Sequence, residues 1–273
     1  MWQLHPIERA VRLSGFYTAF QSVFSPDYVF RGESHDFYEL VLIVSGSLGI
    51  TAGSNSFVLE GPAAVLHPPM EFHALRAERG TAPELLIFSF EATAIPIFQK
   101  RIFSLSEKNI QRARNALALL KSSNVMNHNA EHDSIPVKTK EAQRALMEIE
   151  TVLLTLSESD LLTAETATST GDRNYRRALQ VMEEHLELSL DTAELAKLAH
   201  ISPSLLKKLF ARYAGVGVME YFRTRKVNAA IPFLREGSSV QEVAGRFGFS
   251  TPGYFATVFR KITGHPPSYY HDH

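Results

Sequence analysis

Glu194-Leu195-Ala196, then Ser202-Pro203, Phe210 and Gly215, return further along the chain as Glu242-Val243-Ala244, Thr251-Pro252, Phe259 and Gly264. The glutamates lie 48 residues apart and the later pairs 49, so the second copy has gained one residue. Self-similarity at a fixed period marks a repeated supersecondary unit. Each unit reads as helix, tight turn, helix. Asp191-x-x-Glu194 and Ser239-x-x-Glu242 have capping-box spacing: the first side chain accepts from a free amide of the first turn and the glutamate reaches back. The pattern breaks at His200-Ile201 and at Gly248-Phe249. A second helix then opens with a hydroxyl cap, Ser202 or Thr251, and a proline at the first helical position, where a missing N–H costs nothing. Leu205, Leu206, Leu209 and Phe210 give that helix an apolar face, as Phe255, Val258, Phe259 and Ile262 do in the copy. The opposite faces are left to meet another molecule.

A chain of 273 residues, 45% of them apolar, has enough core for two ordinary domains. It has no cysteine, which excludes disulfides, thiolate zinc sites and cysteine nucleophiles. The start, Met1-Trp2-Gln3-Leu4-His5-Pro6, lacks the basic and apolar regions of a signal peptide, and no apolar run approaches a membrane span. A soluble cytoplasmic protein without a membrane partner is the expectation. The net charge of -1 conceals an asymmetry: Arg173 to His273 carries 14 Lys plus Arg against 9 Asp plus Glu, and the remainder 14 against 20. The repeated part is the basic part, as expected of a module that neutralises phosphates beside one that does not.

Residues 1–105 read as strands: Phe37 to Val44, Leu48 to Thr51, Ser56 to Leu59, Ala63 to Leu66 and Leu85 to Phe90 are short apolar runs separated by turn residues, as in a small sandwich or barrel. Residues 106–162 change to a helical period, with Ile110, Ala113, Leu117 and Leu120 on one helix and Leu146, Ile149, Leu153 and Leu156 on another. The second set suits either a seam between subunits or one against the strand domain. Asn124 to Pro136 reads as a loop, and residues 163–172, small and polar, as a flexible linker. Residues 173–273 form the basic domain, with a long helix from Val218 to Arg235 between the repeats. Pro232 inside it predicts a kink or an early end.

From Asn174 to Tyr270 the sequence resembles the AraC/XylS transcriptional regulators. The resemblance rests on Glu194-Leu195-Ala196, Ser202 to Phe210, Arg225 with Ala230-x-x-Phe233-Leu234, Ser239-Val240-x-Glu242-Val243-Ala244, Gly248-Phe249, Tyr254-Phe255-x-x-x-Phe259-Arg260-Lys261 and Gly264-His265-Pro266-Pro267-x-x-Tyr270. It implies an all-α double helix-turn-helix whose second helices enter successive major grooves of double-stranded DNA. Ser204, Lys207, Lys208, Gly253 and Thr257 then fall against bases, and Arg212, Arg260 and Lys261 against phosphates. Gly253 and Thr257 stand where family members often carry a longer polar reader and an arginine, so the first unit is expected to supply most base discrimination.

The N-terminal strands resemble the cupin-like sensing barrel of many such regulators, with His35 to Leu40 opening it and Gly61-Pro62 and His67-Pro68-Pro69 following. That implies a small effector, a sugar or related metabolite, held near Arg31, His35, Tyr38, His67 and His73. The resemblance further implies a homodimer joined through the 106–162 segment, with contact to RNA polymerase as a further partner, and neither a cofactor nor an enzymatic activity. Two alternatives stand beside it. One is a metal-dependent cupin enzyme using Glu33, His35, Glu39 and His73, where Glu33 replaces the first histidine of the metal motif and Met70 a usual glycine. The other is an effector-independent DNA-binding dimer.

Overall fold

The computed structural model describes residues 5–53, 55–95, 102–123, 140–158 and 170–271. The expected loop from Asn124 to Pro136 lies outside them. Among the described residues nine strands, β1 (Arg12–Val23), β2 (Val29–Glu33), β3 (Tyr38–Ser45), β4 (Ser47–Ala52), β5 (Asn55–Glu60), β6 (Ala63–His67), β7 (His73–Glu78), β8 (Glu84–Ala94) and β9 (Ile102–Ser104), are followed by helices. The strands make two antiparallel sheets, ordered β1-β8-β3-β6-β9 and β2-β7-β4-β5. The expected barrel is therefore an open sandwich, because among the described residues no strand ladder joins one sheet to the other.

Alternation along the strands assigns three layers. Val41, Ile43, Val65, Leu85 and Ile87 from the first sheet meet Leu48, Ile50, Leu59 and Leu75 from the second and fill the sandwich. The other face of the first sheet, with Leu40, Leu42, Leu86, Phe88 and Phe90, packs under two helices, α1 (Glu107–Ser122) and α2 (Lys140–Glu158). Ser106 caps α1 by accepting from the Asn109 amide. On α2, Ile149, Leu153 and Leu156 are fully buried against α1 and the sheet. The apolar seam of residues 140–158 thus packs within the chain, which is the second of its two expected uses.

The second sheet turns its outer face to the helical domain. Phe72 and Ala74 join one core with Tyr175, Phe210, Tyr213 and Tyr221. That domain comprises α3 (Thr170–Glu184), α4 (Thr192–Leu198), α5 (Pro203–Tyr213), α6 (Val218–Arg235), α7 (Val240–Arg246), α8 (Pro252–Thr263) and a short 3-10 turn, Pro267–His271. Helix α3 begins at Thr170, inside the expected linker. Both capping boxes form, at Asp191 with Glu194 and at Ser239 with Glu242. His200 and Gly248 take left-handed φ values of 55° and 67°, and the next amides donate alike, Ile201 to Ala196 and Phe249 to Ala244. The extra residue of the second copy is therefore Ser250, between that bond and the Thr251 cap. Helix α6 continues past Pro232 to Arg235. The proline stands in the last turn, where little helix remains to be broken. Among the described residues no helix is long and apolar enough to cross a membrane.

Candidate functional site

All eight residues expected at DNA are exposed: Ser204, Lys207, Lys208 and Arg212 on α5, and Gly253, Thr257, Arg260 and Lys261 on α8. The reason is local. Leu206, Leu209, Phe210 and Tyr213 bury one side of α5, and Phe255 and Phe259 one side of α8, which turns the remaining positions outward. The two helices differ in what they offer. Ser204 Oγ lies 3.2 Å from Ser202 Oγ, and Lys207 and Lys208 project two flexible ammonium groups. On α8 the Thr257 hydroxyl donates to the Gly253 carbonyl at 3.0 Å, so its proton is committed to the helix. Arg260 and Lys261 occupy the last turn of α8, where cations complement the helix dipole. Tyr254, 45% exposed next to Gly253, is a further candidate contact that sequence reasoning missed. Its place, one residue off the Phe255–Phe259 face, was the available signal.

The first unit takes most of the polar contacts with the sandwich, while the core of the second meets it through Met70. Thr51 Oγ1 donates to the Tyr213 carbonyl at 3.0 Å, and the Arg76 guanidinium lies 4.5 Å from the Tyr213 ring centroid. Tyr221 Oη donates to the Gly53 carbonyl at 2.6 Å, and burial raises its hydroxyl pKa well above the ordinary tyrosine value. Asn228 Nδ2 donates to Ser34 Oγ at 3.0 Å and to the Met70 carbonyl at 2.7 Å. Gly215, with φ +69°, comes so close to β2 that a Cβ there would stand 2.6 Å from Arg31 Cα. Beside this contact runs a cleft of about 630 Å³, lined by Asp27, Val29 and Arg31 on one wall and Lys207, Ala211 and Gly215 to Val218 on the other.

Of the five residues expected around an effector, the structure brings three together. His35 and His73 lie edge to face at 4.9 Å between ring centroids, and His67 stacks on His73 at 4.4 Å. They occupy the polar end of the sandwich interior with Glu39, whose strand position pairs with both His67 and Ser89. Tyr38 and Arg31 are elsewhere. Tyr38 is the strand neighbour of Glu39, so it faces the opposite way and stacks on Phe90 in the helix-covered core, centroids 5.9 Å apart. Arg31 lies on the domain cleft. A register shift in the β2–β7 pairing between Phe30 and Glu33 sets Glu33 opposite His73. Single ligand atoms of Glu33, His35, Glu39 and His73 all lie within 4.8 Å of one another.

The electrostatics follow from burial and crowding. Burial, reinforced by the charge of His73, pushes His35 down to about 4. His67 is lowered by burial and by His73, against the pull of Glu71. For Glu39, burial acts upward but is outweighed by the imidazole of His73 and by His67 and His35, which hold the carboxyl at about 2. Burial opposes the charge on His73, and the Glu39 carboxylate more than offsets it, raising its pKa. Glu33 is raised by burial.

Taken together, a ligand-binding β-sandwich fused to two helix-turn-helix units defines the class of this protein. Residues 16–166 match the family described as AraC-like ligand binding domain, and residues 195–273 match a helix-turn-helix domain. The chain belongs to the AraC-like family. It is 35% identical over 104 residues to the XylDLEGF operon transcriptional activator of Pseudomonas putida, a match covering 37% of this chain and 32% of that one. The chain thus spans about a third of the length of the curated relatives it matches. Among solved structures, ToxT from Vibrio cholerae O395 is similar over 96% of this chain and 97% of its own, with 13% identity and a TM-score of 0.38. The DNA-binding domain of AdpA in complex with a target DNA is 31% identical, covering 34% of this chain and 88% of that chain, with a TM-score of 0.32.

Proposed function

We propose that this chain is a sequence-specific regulator of transcription that acts in the cytoplasm on double-stranded DNA and responds to a small ligand of its N-terminal domain. The observation that carries the reading is the pair of capped helix-turn-helix units on one connecting helix, each showing DNA-complementary side chains on its exposed second helix. Lys207 and Lys208 donate to guanine edges, Ser204 bonds to any of several base edges, and Arg212, Arg260 and Lys261 donate to phosphates. The ligand, a metabolite such as a sugar in the reading from family resemblance, acts through the contacts of Thr51, Gly53, Ser34 and Met70 with the helical domain. It shifts DNA binding only by as much as it prefers one arrangement of those contacts over another. Pairing of two copies and contact with RNA polymerase belong to the same proposal. The matched relative is named as a transcriptional activator, and no enzymatic role is proposed.

Selection of binding sites from random duplexes at fixed salt tests this directly. A recurrent motif is expected. Recovery of unselected sequence, with affinity set by salt alone, would overturn it.

A further inference from the structure

We propose that Glu33, His35, Glu39 and His73 form a binding site for a divalent first-row transition-metal ion inside the N-terminal domain. As a statement about the ligand of a DNA-binding regulator it rests on the function proposed above; as a statement about metal binding it stands alone.

Three chain segments deliver the donors: the end of β2 with the residues after it, the start of β3, and the start of β7. Gly32, with φ +81°, permits the approach, since a Cβ there would stand 2.4 Å from the Phe72 ring. The Met70 turn, with φ 65°, brings the chain round into β7 and His73. His73 Nε2 lies 3.2 Å from Glu39 Oε1, and His35 Nε2 lies 3.9 Å from Glu39 Oε2. Tetrahedral coordination with bonds of about 2.0–2.1 Å places donors roughly 3.4 Å apart. Small side-chain movements close the site.

The supporting hydrogen bonds point the same way. His35 Nδ1 meets the Phe37 carbonyl at 3.0 Å and His73 Nδ1 the Glu71 carbonyl at 3.2 Å, so in each ring Nδ1 is the donor and Nε2 faces the cluster. Both Nε2 atoms are buried and make no well-aligned hydrogen bond among the described residues; what each of them faces is a carboxylate oxygen of Glu39. A ligating imidazole held by a backbone carbonyl through its other nitrogen is the arrangement that fixes tautomer and aim in metal sites. Ser89 Oγ donates to Glu39 Oε2 at 3.0 Å and orients the carboxylate in the same manner. Two carboxylates match the charge of a divalent ion. Imidazole with carboxylate, without thiolate, selects zinc, iron, cobalt, nickel or manganese rather than a soft monovalent ion.

The site adjoins the domain contact. Ser34, between Glu33 and His35, accepts from Asn228 of α6, and Phe72, next to His73, packs edge to face on Tyr221 with centroids 4.6 Å apart. Drawing the four donors together moves both segments that hold the helical domain.

The test is titration of the metal-stripped full chain with Co²⁺, with Zn²⁺ as competitor. One equivalent of Co²⁺ with visible ligand-field bands, displaced by Zn²⁺, is expected. His35→Ala and Glu33→Gln, both nearer the rim than Glu39 and His73, should each weaken binding at least about tenfold. His200→Ala, outside the cluster, should leave it unchanged. X-ray absorption at the zinc edge of the loaded wild type needs no variant and should show nitrogen and oxygen donors with imidazole outer-shell scattering. Failure to bind stoichiometrically, unchanged affinity in both variants, or a zinc shell without imidazole would each overturn the site. In that case the cluster is an internal ion pair of His73 and Glu39. The metal readouts contain no DNA, so their failure leaves the DNA-binding reading intact, whereas a metal-loading chain that selects no DNA motif sinks that reading alone.

Discussion

The two helix-turn-helix units share caps, prolines and apolar faces, yet they differ in what surrounds them. The first is clamped. Its Tyr213 carbonyl accepts from Thr51, its Gly215 lies against Arg31, and its recognition helix borders the cleft between domains through Lys207 and Ala211. The equivalent glycine of the second unit, Gly264, has the same left-handed backbone at φ +80° but nothing within 4 Å of where a Cβ would stand. Sequence symmetry therefore conceals an asymmetry of surroundings. Under the proposed function, the unit with more of the proposed base readers is also the one that the N-terminal domain holds through polar contacts, and the second would chiefly anchor.

The sharpest way to break that comparison is the glycine pair. Gly264→Ala should cost about 1–2 kcal/mol from left-handed backbone strain alone. Gly215→Ala adds a clash with the Arg31 backbone and should cost about 2–4 kcal/mol. Denaturant unfolding of the two variants checks this, and equal costs would remove the clamp from the account. Next in size, Lys207→Ala should lose about 1–3 kcal/mol of binding to a preferred duplex. Thr257→Ala, whose hydroxyl is already bonded to its own helix, should lose less than about 0.5 kcal/mol, the usual range for an exposed change away from such features. Gel-shift titrations at fixed salt compare them. Tyr221→Phe leaves the Gly53 carbonyl without its donor and should destabilise by about 1–2 kcal/mol. Asp191→Ala and Ser239→Ala should each cost about 1 kcal/mol. Because both boxes are complete and exposed, near-equal values are expected there, which makes the caps an internal control for the asymmetry seen elsewhere.

Much of this was legible before the fold was known. Caps, prolines and period located α4, α5, α7 and α8, and the apolar runs located β3 to β6 and β8. The other strands, β1, β2, β7 and β9, gave no such signal, and for two of them the reason is plain. In β1 most side chains are exposed, and β7 turns His73 inward and Arg76 toward the helical domain, so neither shows an apolar run or a clean alternation. The α2 seam was read correctly as apolar, but periodicity does not say which surface fills it. In the site, the three histidines and Glu39 were found because imidazole and carboxylate stand out in a strand region. Tyr38 was misplaced for a reason the sequence contained: on one strand it and Glu39 cannot face the same way. Arg31 could not be placed, because what it touches is Gly215, brought there only by the docking of the two domains.

The division of labour between the units is tested most directly by the motif that the wild-type chain selects, compared position by position with the motif selected by Lys207→Ala. The account predicts two blocks about one helical turn apart, one more tightly specified than the other, with the variant losing specificity within the tighter block alone. Two blocks of equal specificity, or a loss spread evenly over both, would contradict it.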